Sequence, residues 1–382
     1  MPLASAAQNS YERAFAACME GLVIHGAMIL GALGVQRTCR VIARVLAVVV
    51  GVLACTGSGA SAGEIGHFNP GMLGIRDYVM PDPGFYGALY NLWYTTDQLN
   101  GANGNAASSV TIPANHAPGH PSATLKLDVS VDLYALAPTF MWVSDWKPLG
   151  AKYAAYVVPT FANTSLGAAL ANETERGINP STSSVGVGDL YVQPLWLDWT
   201  LEHFDVAFGA GFYAPTGKYD VQTSHVPGVG SLKSESANNI GFGFWTAQTQ
   251  LGGAWYPFEH KGTAVVAALT HEVNGKKQDF DLTPGQNLTF TWGISQYVPL
   301  DEGKTLLLEV GPAGYDIWQV SHDTGSDAAT PNVLDQVHAA GGQIGFTYVP
   351  WALVVNFHAF QEFAATDRFQ GEAFGLNMAK KF

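Results

Sequence analysis

Hydrophobic and polar residues alternate with a period of two along much of this chain. Over Thr124–Ala135, Leu125, Leu127, Val129, Val131, Leu133 and Ala135 take turns with Lys126, Asp128, Ser130, Asp132 and Tyr134. A strand puts the two sets on opposite faces, whereas a helix would mix them. The same repeat returns at 204–212, 288–294, 344–348, 351–363 and 374–382, and more weakly near 84–95, 151–162, 186–199, 240–256, 262–273 and 304–318. These runs predict twelve strands, with fourteen as the alternative count. An even number is what a single-chain bacterial barrel requires. In the last run Phe374, Leu376, Met378 and the terminal Phe382 share one face, and Gly375, Asn377, Ala379 and Lys381 the other. Lys380 interrupts the apolar row and is read as snorkelling to the periplasmic interface.

The connections alternate too. Long polar segments near 96–123, 163–185, 215–239, 274–286, 320–336 and 364–369 take turns with short ones near 145–150, 200–203, 257–261, 299–303 and 349–350. Outer-membrane barrels pair long extracellular loops with tight periplasmic turns, which puts both barrel ends in the periplasm. The predicted fold is all-β, a transmembrane antiparallel up-and-down β-barrel. The rival is a soluble sandwich, which would not need so apolar an outer face. Tyr86, Tyr90, Trp93, Tyr94, Trp142, Trp146, Trp196, Trp199, Trp255, Tyr256, Tyr297, Tyr348 and Trp351 cluster near predicted strand ends, where interfacial girdles form. Tyr134 and Tyr213 are the candidates for stacking on a ligand if they point inward.

Composition agrees. The chain is 13% charged and 12% aromatic with 43 glycines, against roughly 25% charged residues in soluble domains. Residues 1–62 read as an upstream extension and signal peptide: Arg37, Arg40 and Arg44, the apolar run 45–54, then Ala60-Ser61-Ala62 before a cut at Gly63. The awkward lead suggests translation from Met19 or Met28. Cys55 in Val52-Leu53-Ala54-Cys55 makes a poor lipoprotein box. Cys18, Cys39 and Cys55 all precede the cut, so the mature chain is expected to hold no disulfide, thiolate metal site or cysteine nucleophile. A net charge of −13 speaks against nucleic acid as a partner. Residues 63–83 hold His67, Asn69, Arg76 and Asp77 among too many prolines and glycines for a strand. This segment is either a plug in the lumen or an unstructured periplasmic leader, and residues 84–382 are the barrel.

Some motifs imitate chemistry. Gly209-Ala210-Gly211 followed by Thr216-Gly217-Lys218 imitates a dinucleotide fingerprint and a phosphate loop, but the Walker spacing is one residue too long, Tyr219 stands where Ser or Thr should hold magnesium, and Pro215 begins a loop where a helix is required. His116 and His120 have a zinc-like spacing in a loop whose prolines and Gly119 oppose a helix. No cofactor or metal is expected. An outer-membrane hydrolase would draw on His225 with Ser231, Ser234 and Ser236, all in one polar loop. More informative is strand parity. If every apolar face meets lipid, Lys126, Asp128, Asp132, Asp205, Glu309, Asn356, His358 and Glu362 turn inward, because a charge facing mid-membrane lipid costs several kcal/mol. They would brace a narrow barrel or line a path whose acidic excess favours neutral or cationic solutes.

Four signatures are spread along residues 64–371: Glu64-x-Gly66-His67-x-x-Pro70-Gly71, Gly188-Asp189-x-x-x-Gln193-Pro194-Leu195-x-Leu197-x-Trp199, Pro215-Thr216-Gly217-x-Tyr219 and Gln370-Gly371. In their order and spacing the chain resembles the outer-membrane family named for the MetA pathway of phenol degradation. The resemblance implies a Gram-negative outer-membrane barrel associated with catabolism of aromatic or other hydrophobic compounds, and it brings no catalytic residues. The expected function is passive, energy-independent uptake of small hydrophobic or aromatic molecules, for which the lipopolysaccharide leaflet is a poor solvent. The alternatives are a non-conducting structural or surface-binding barrel and, behind it, the hydrolase. The expected partners are outer-membrane lipid and lipopolysaccharide, a small hydrophobic solute, and the barrel-assembly machinery through the strand ending at Phe382.

Overall fold

The computed structural model describes residues 65–106, 109–112, 123–172, 175–178, 181–226, 230–235, 239–328 and 333–382; within 109–129, 166–184 and 222–234 only the backbone is described. The predicted signal peptide, the three cysteines, His116 and His120 lie outside these residues. The first strands are β1 (Gly84–Thr96), β2 (Ser109–Ile112), β3 (Ala123–Ser144), β4 (Lys152–Val158), β5 (Phe161–Asn172) and β6 (Glu175–Ile178). Next come β7 (Ser181–Val187), β8 (Leu190–Thr200), β9 (Phe204–Ala214), β10 (Val221–Val226), β11 (Gly230–Glu235) and β12 (Thr246–Trp255). The last are β13 (Thr263–Asn274), β14 (Asn287–Pro299), β15 (Leu306–Gln319), β16 (Gln336–Tyr348), β17 (Leu353–Thr366) and β18 (Glu372–Lys381).

β3 pairs along one stretch with β4 and along another with β5, while β8 continues β7 beside them. Counting β4 with β5 and β7 with β8 as single staves, twelve antiparallel staves form the wall. It closes because β1 pairs with β3 on one side and β18 on the other. β2 and β6 are short additions to this sheet, and β10 with β11 is a separate hairpin.

The twelve predicted runs all fall on wall strands. One runs much further than its alternation suggested: β3 continues to Ser144 through Pro138, which has no N–H for a ladder. The ladder can spare it there, because the β5 pairing ends at Leu136 and the β4 pairing begins at Phe140. The two staves beside it break near the same level, at Pro159-Thr160 and Gly188-Asp189.

On the outer face, Phe85, Trp142, Phe204, Trp255 and Trp351 are exposed at the end with short turns, and Trp93, Phe212, Trp245 and Phe363 at the end with long loops. Two such belts around a closed apolar wall make this an outer-membrane barrel. The predicted girdle needs correction, since Tyr86, Tyr90, Tyr94, Trp196, Tyr256 and Tyr297 turn inward. Nearness to a strand end does not say which face a ring occupies; parity does.

The buried core is inside the barrel and centres on the segment before β1. Ile75 and Tyr78 pack with Leu92, Val266, Tyr315 and Phe360. Met80 packs with Val143, Ala154, Trp196 and Ala207.

Candidate solute path and its plug

Residues 65–83 run through the lumen. His67 lies among the extracellular ends of β8, β9 and β12, and Arg76 reaches the periplasmic turn at Lys261 and Gly262. Prolines and glycines make this course feasible by setting two short turns instead of a strand. Asn69 Oδ1 accepts from Gly71 N at 3.0 Å and caps the turn Pro70–Met72. Asp77 Oδ2 accepts from Gly74 N at 2.6 Å around the turn Ile75–Tyr78. Burial pushes the Asp77 carboxyl up to about 7, against that hydrogen bond and helped by nearby Glu309.

The wall from β13 to β18 grips the segment with polar groups. Arg76 Nε donates to Ser295 Oγ at 2.8 Å and lies 3.2 Å from Glu309 Oε1, with its guanidinium over the Tyr297 ring at 4.1 Å. Gln343 joins the same cluster, donating to Glu309 Oε2 and accepting from Ile75 N, both at 2.9 Å. His358 Nε2 donates to Gly71 O at 2.9 Å, and Asn377 Nδ2 to Met72 O at 2.8 Å. Opposite His358 only glycine fits: a Cβ on Gly375 would stand 1.9 Å from Nε2. Beside Ile75 and Tyr78 the remaining space is ≈ 20 Å³, room for about one water.

The inward candidates divide as follows. Asp205, Glu309, Asn356, His358 and Glu362 are buried on the lumen side. Asp205 accepts from Tyr256 OH at 2.5 Å, and Glu362 from Tyr94 OH at 2.9 Å and Tyr315 OH at 3.0 Å. The Asn356 amide lies against Gly74. Among the plug candidates, Arg76 joins the network just described, Asn69 and Asp77 each accept a backbone N–H at their own turns, and His67 is treated below. Asp132 does not turn inward. It pairs with Thr95 in the outward row of Trp93–Tyr134 and Phe85–Trp142, and accepts from Thr95 Oγ1 at 2.8 Å. The parity argument holds only at hydrocarbon depth, and Asp132 stands one step beyond the extracellular aromatic pair. Tyr134 is therefore also outward, its hydroxyl on Asn91 at 2.8 Å. For Lys126 and Asp128 only the strand backbone is described. The same is true of His225, Ser231 and Ser234, and Ser236 lies outside the described residues.

Of the two stacking candidates Tyr213 points inward, and it belongs to a series of rings on β4, β8, β9 and the segment leading into β12 whose other members the sequence did not mark as a site. His67 stacks on Tyr213 at 4.7 Å between ring centroids, with Phe242 at 4.6 Å and Phe244 at 4.9 Å. Tyr213 meets Tyr191 at 4.5 Å, Tyr191 meets Tyr156 at 5.8 Å, and Tyr156 meets Trp196 at 5.8 Å. The hydroxyls of Tyr156 and Tyr191 donate to one oxygen, Gln193 Oε1, at 2.8 and 2.6 Å. At the upper end Asp189 accepts from Gly217 N at 2.9 Å and Phe242 N at 2.8 Å, and its Oδ2 lies 3.0 Å from His67 Nε2. That carboxylate only accepts, so Nε2 carries the proton. His67 Nδ1 lies 2.8 Å from Thr246 Oγ1. Burial holds the His67 pKa below its ordinary value, against the pull of Asp189. Gly217, which imitated a phosphate loop, thus spends its N–H on Asp189; a Cβ there would stand 2.6 Å from Gly241 Cα. The signatures around His67, Asp189 and Gly217 are one site, and their sequence order was the available signal.

Tyr156 and Gln193 also reach a groove of ≈ 840 Å³ on the membrane face, lined by Phe85, Leu89, Pro138, Phe140, Trp142 and Phe382 among others. It lies beside the level where β3 changes partner.

A family model described as "Putative MetA-pathway of phenol degradation" matches residues 96–378. No curated protein sequence matches the chain. Among solved structures, the chain is similar to the COG4313 outer membrane channel from Pseudomonas putida F1, with 16% identity, TM-score 0.49, and coverage of 80% of this chain and 98% of that one. It is also similar to the beta domain of the Bordetella autotransporter BrkA (10%, 0.44, 79% and 100%) and to a Pseudomonas aeruginosa FadL homologue (11%, 0.36, 79% and 91%).

Proposed function

The chain belongs to the putative MetA-pathway of phenol degradation family, and from that premise we propose that it admits small hydrophobic or aromatic molecules passively across the outer membrane. Residues 65–83 are its plug, and the membrane-facing groove is the way out. The observation that carries this reading is the row of rings from His67 to Tyr156 and its meeting with the apolar groove at Tyr156 and Gln193. A hydrophobic solute on that route trades ring for ring and leaves into lipid without crossing the polar side of the lumen. The buried acids of the inner wall oppose anions. The chain performs no catalysis in this reading, and its partners are lipid, lipopolysaccharide and the solute, with the assembly machinery acting during insertion.

The test is uptake into liposomes of phenol-like, fatty and sugar solutes, with and without residues 65–83. Selective passage of aromatic or fatty solutes is the expected result, and passage of none of them, in either form, would overturn the channel reading. A second reading, the non-conducting structural or surface-binding barrel, is favoured by one observation: beside Ile75 the lumen has ≈ 20 Å³ to spare.

A further inference from the structure

The ring of His67 is held as a ligand would be. One face stacks on Tyr213 with an interplanar angle of 20°, Phe242 and Phe244 close the sides, and the two nitrogens meet Asp189 and Thr246. The side chain of His67 is 2% exposed and that of Asp189 3%. The acceptor is preorganised without the histidine, because Gly217 N and Phe242 N already fix the carboxylate. Thr246 Oγ1 also lies 2.6 Å from Asn274 Oδ1, so its one proton serves either that oxygen or His67 Nδ1. The cage stands at the extracellular end of the ring series.

We propose that this cage is a binding site for a single aromatic ring bearing a hydrogen-bond donor, and that His67 is its built-in competitor. A phenol is the size of the histidine side chain. Its face replaces the imidazole on Tyr213, and its O–H donates to Asp189 Oδ2 where Nε2 does now. A ring without a donor can stack but leaves that oxygen one hydrogen bond short, which a buried carboxylate tolerates poorly. Occupation by solute expels His67 and so frees the outer tip of the segment that fills the lumen. The inference rests on the channel reading and names its solute class. Because His67 already fills the cage, the wild type binds more weakly than the empty site would.

The experiment is ¹⁹F NMR titration of the detergent-extracted protein with 4-fluorophenol, with fluorobenzene as the ring lacking a donor. Saturable binding of 4-fluorophenol is expected, about tenfold tighter in His67→Ala because the competitor is gone. Fluorobenzene should bind at least about tenfold more weakly than 4-fluorophenol, the discrimination a lost buried hydrogen bond supplies. Retarded migration after boiling checks that each variant is folded. If His67→Ala fails that check, Tyr213→Leu replaces it, with loss of binding expected. Equal affinities in wild type and His67→Ala, equal affinities for the two probes, or undiminished binding by Tyr213→Leu would each overturn the cage. Liposome uptake in parallel separates the two ideas: uptake with no cage binding sinks this inference alone, and cage binding with no uptake sinks the channel.

Discussion

The two sides of the lumen hold the plug by different chemistry. From β13 to β18 the wall meets it with Glu309, Gln343, His358 and Asn377, each bonded to a particular atom of residues 71–76. From β3 to β9 it offers rings, small residues, Met80's apolar pocket and fewer polar contacts, among them Asp189 with His67 and Asp198 with the Met80 backbone. A polar grip is specific and dry, and opens only by breaking paired groups. The ring-lined side has less to break, and there the wall itself is interrupted at Pro138, Pro159-Thr160 and Gly188-Asp189. On the proposed channel reading a solute path opens more easily on the second side, with the first as anchor.

Removing residues 65–83 abolishes both kinds of contact and should have the largest effect. In planar bilayers the shortened protein is expected to conduct ions through an open lumen while the intact protein is nearly silent. Equal conductance of the two would show that the segment does not close the barrel. Next in size is Arg76→Ala, which attacks the polar side alone and strands Glu309 without its cation. Breaking a buried pair in this way costs about 3–5 kcal/mol, read here as faster amide exchange over residues 71–78. No change in exchange would mean that the ring-lined side suffices to hold the plug.

The polar side also carries a pH dependence. Asp77 has its carboxyl pushed from 3.8 to about 7 by burial when docked, so the docked state holds a proton that the free segment has lost. Docking is therefore firmest near pH 4, weakens as pH rises to about 7, and is flat above that. The upper bound is of order 4 kcal/mol. Exchange of the same amides at pH 5 and pH 8, corrected for intrinsic rates, should show looser docking at pH 8, and Asp77→Asn should remove the difference. A smaller effect is expected on the other side. Ala155 lines the groove, and Ala155→Trp should slow aromatic uptake by about three- to tenfold, the weight of one crowded apolar contact, while ion conductance of the plug-free form stays the same. Conductance falling in step with uptake would place both on one route.

Much of the wall was legible because a period of two and alternating loop lengths are local signals. Every one of the twelve runs lies on a strand, yet the extension of β3 past Leu136 was hidden by Pro138, a residue that sequence reasoning rightly treats as a breaker until a change of partner excuses it. The plug was half legible: its breakers excluded a strand, while its place inside the lumen depends on contacts such as Arg76 with Ser295, 219 residues apart. Asp189 stood in a quoted signature, but its meaning lies in His67, 122 residues away, and no spacing rule links them.

Asp132 marks where the strongest of these rules stops. Parity assumed that every charge on an alternating strand turns from lipid, which is sound only while the strand is in lipid. β3 is 22 residues long, about twice the 9–11 that a tilted strand needs to cross, so a good part of it stands clear of the hydrocarbon. There the outward face is wet, Asp132 meets Thr95 across the ladder, and Leu133 and Ala135 face the lumen instead. The same residue type then has two values. Asp132→Ala should change stability within about 0.5 kcal/mol, as exposed surface substitutions do, whereas Asp205→Ala removes the buried acceptor of Tyr256 OH and should cost about 1–3 kcal/mol. Urea unfolding from lipid vesicles measures both. A loss at Asp132 as large as that at Asp205 would mean that the aspartate is at membrane depth after all, and that the extracellular rim lies above it.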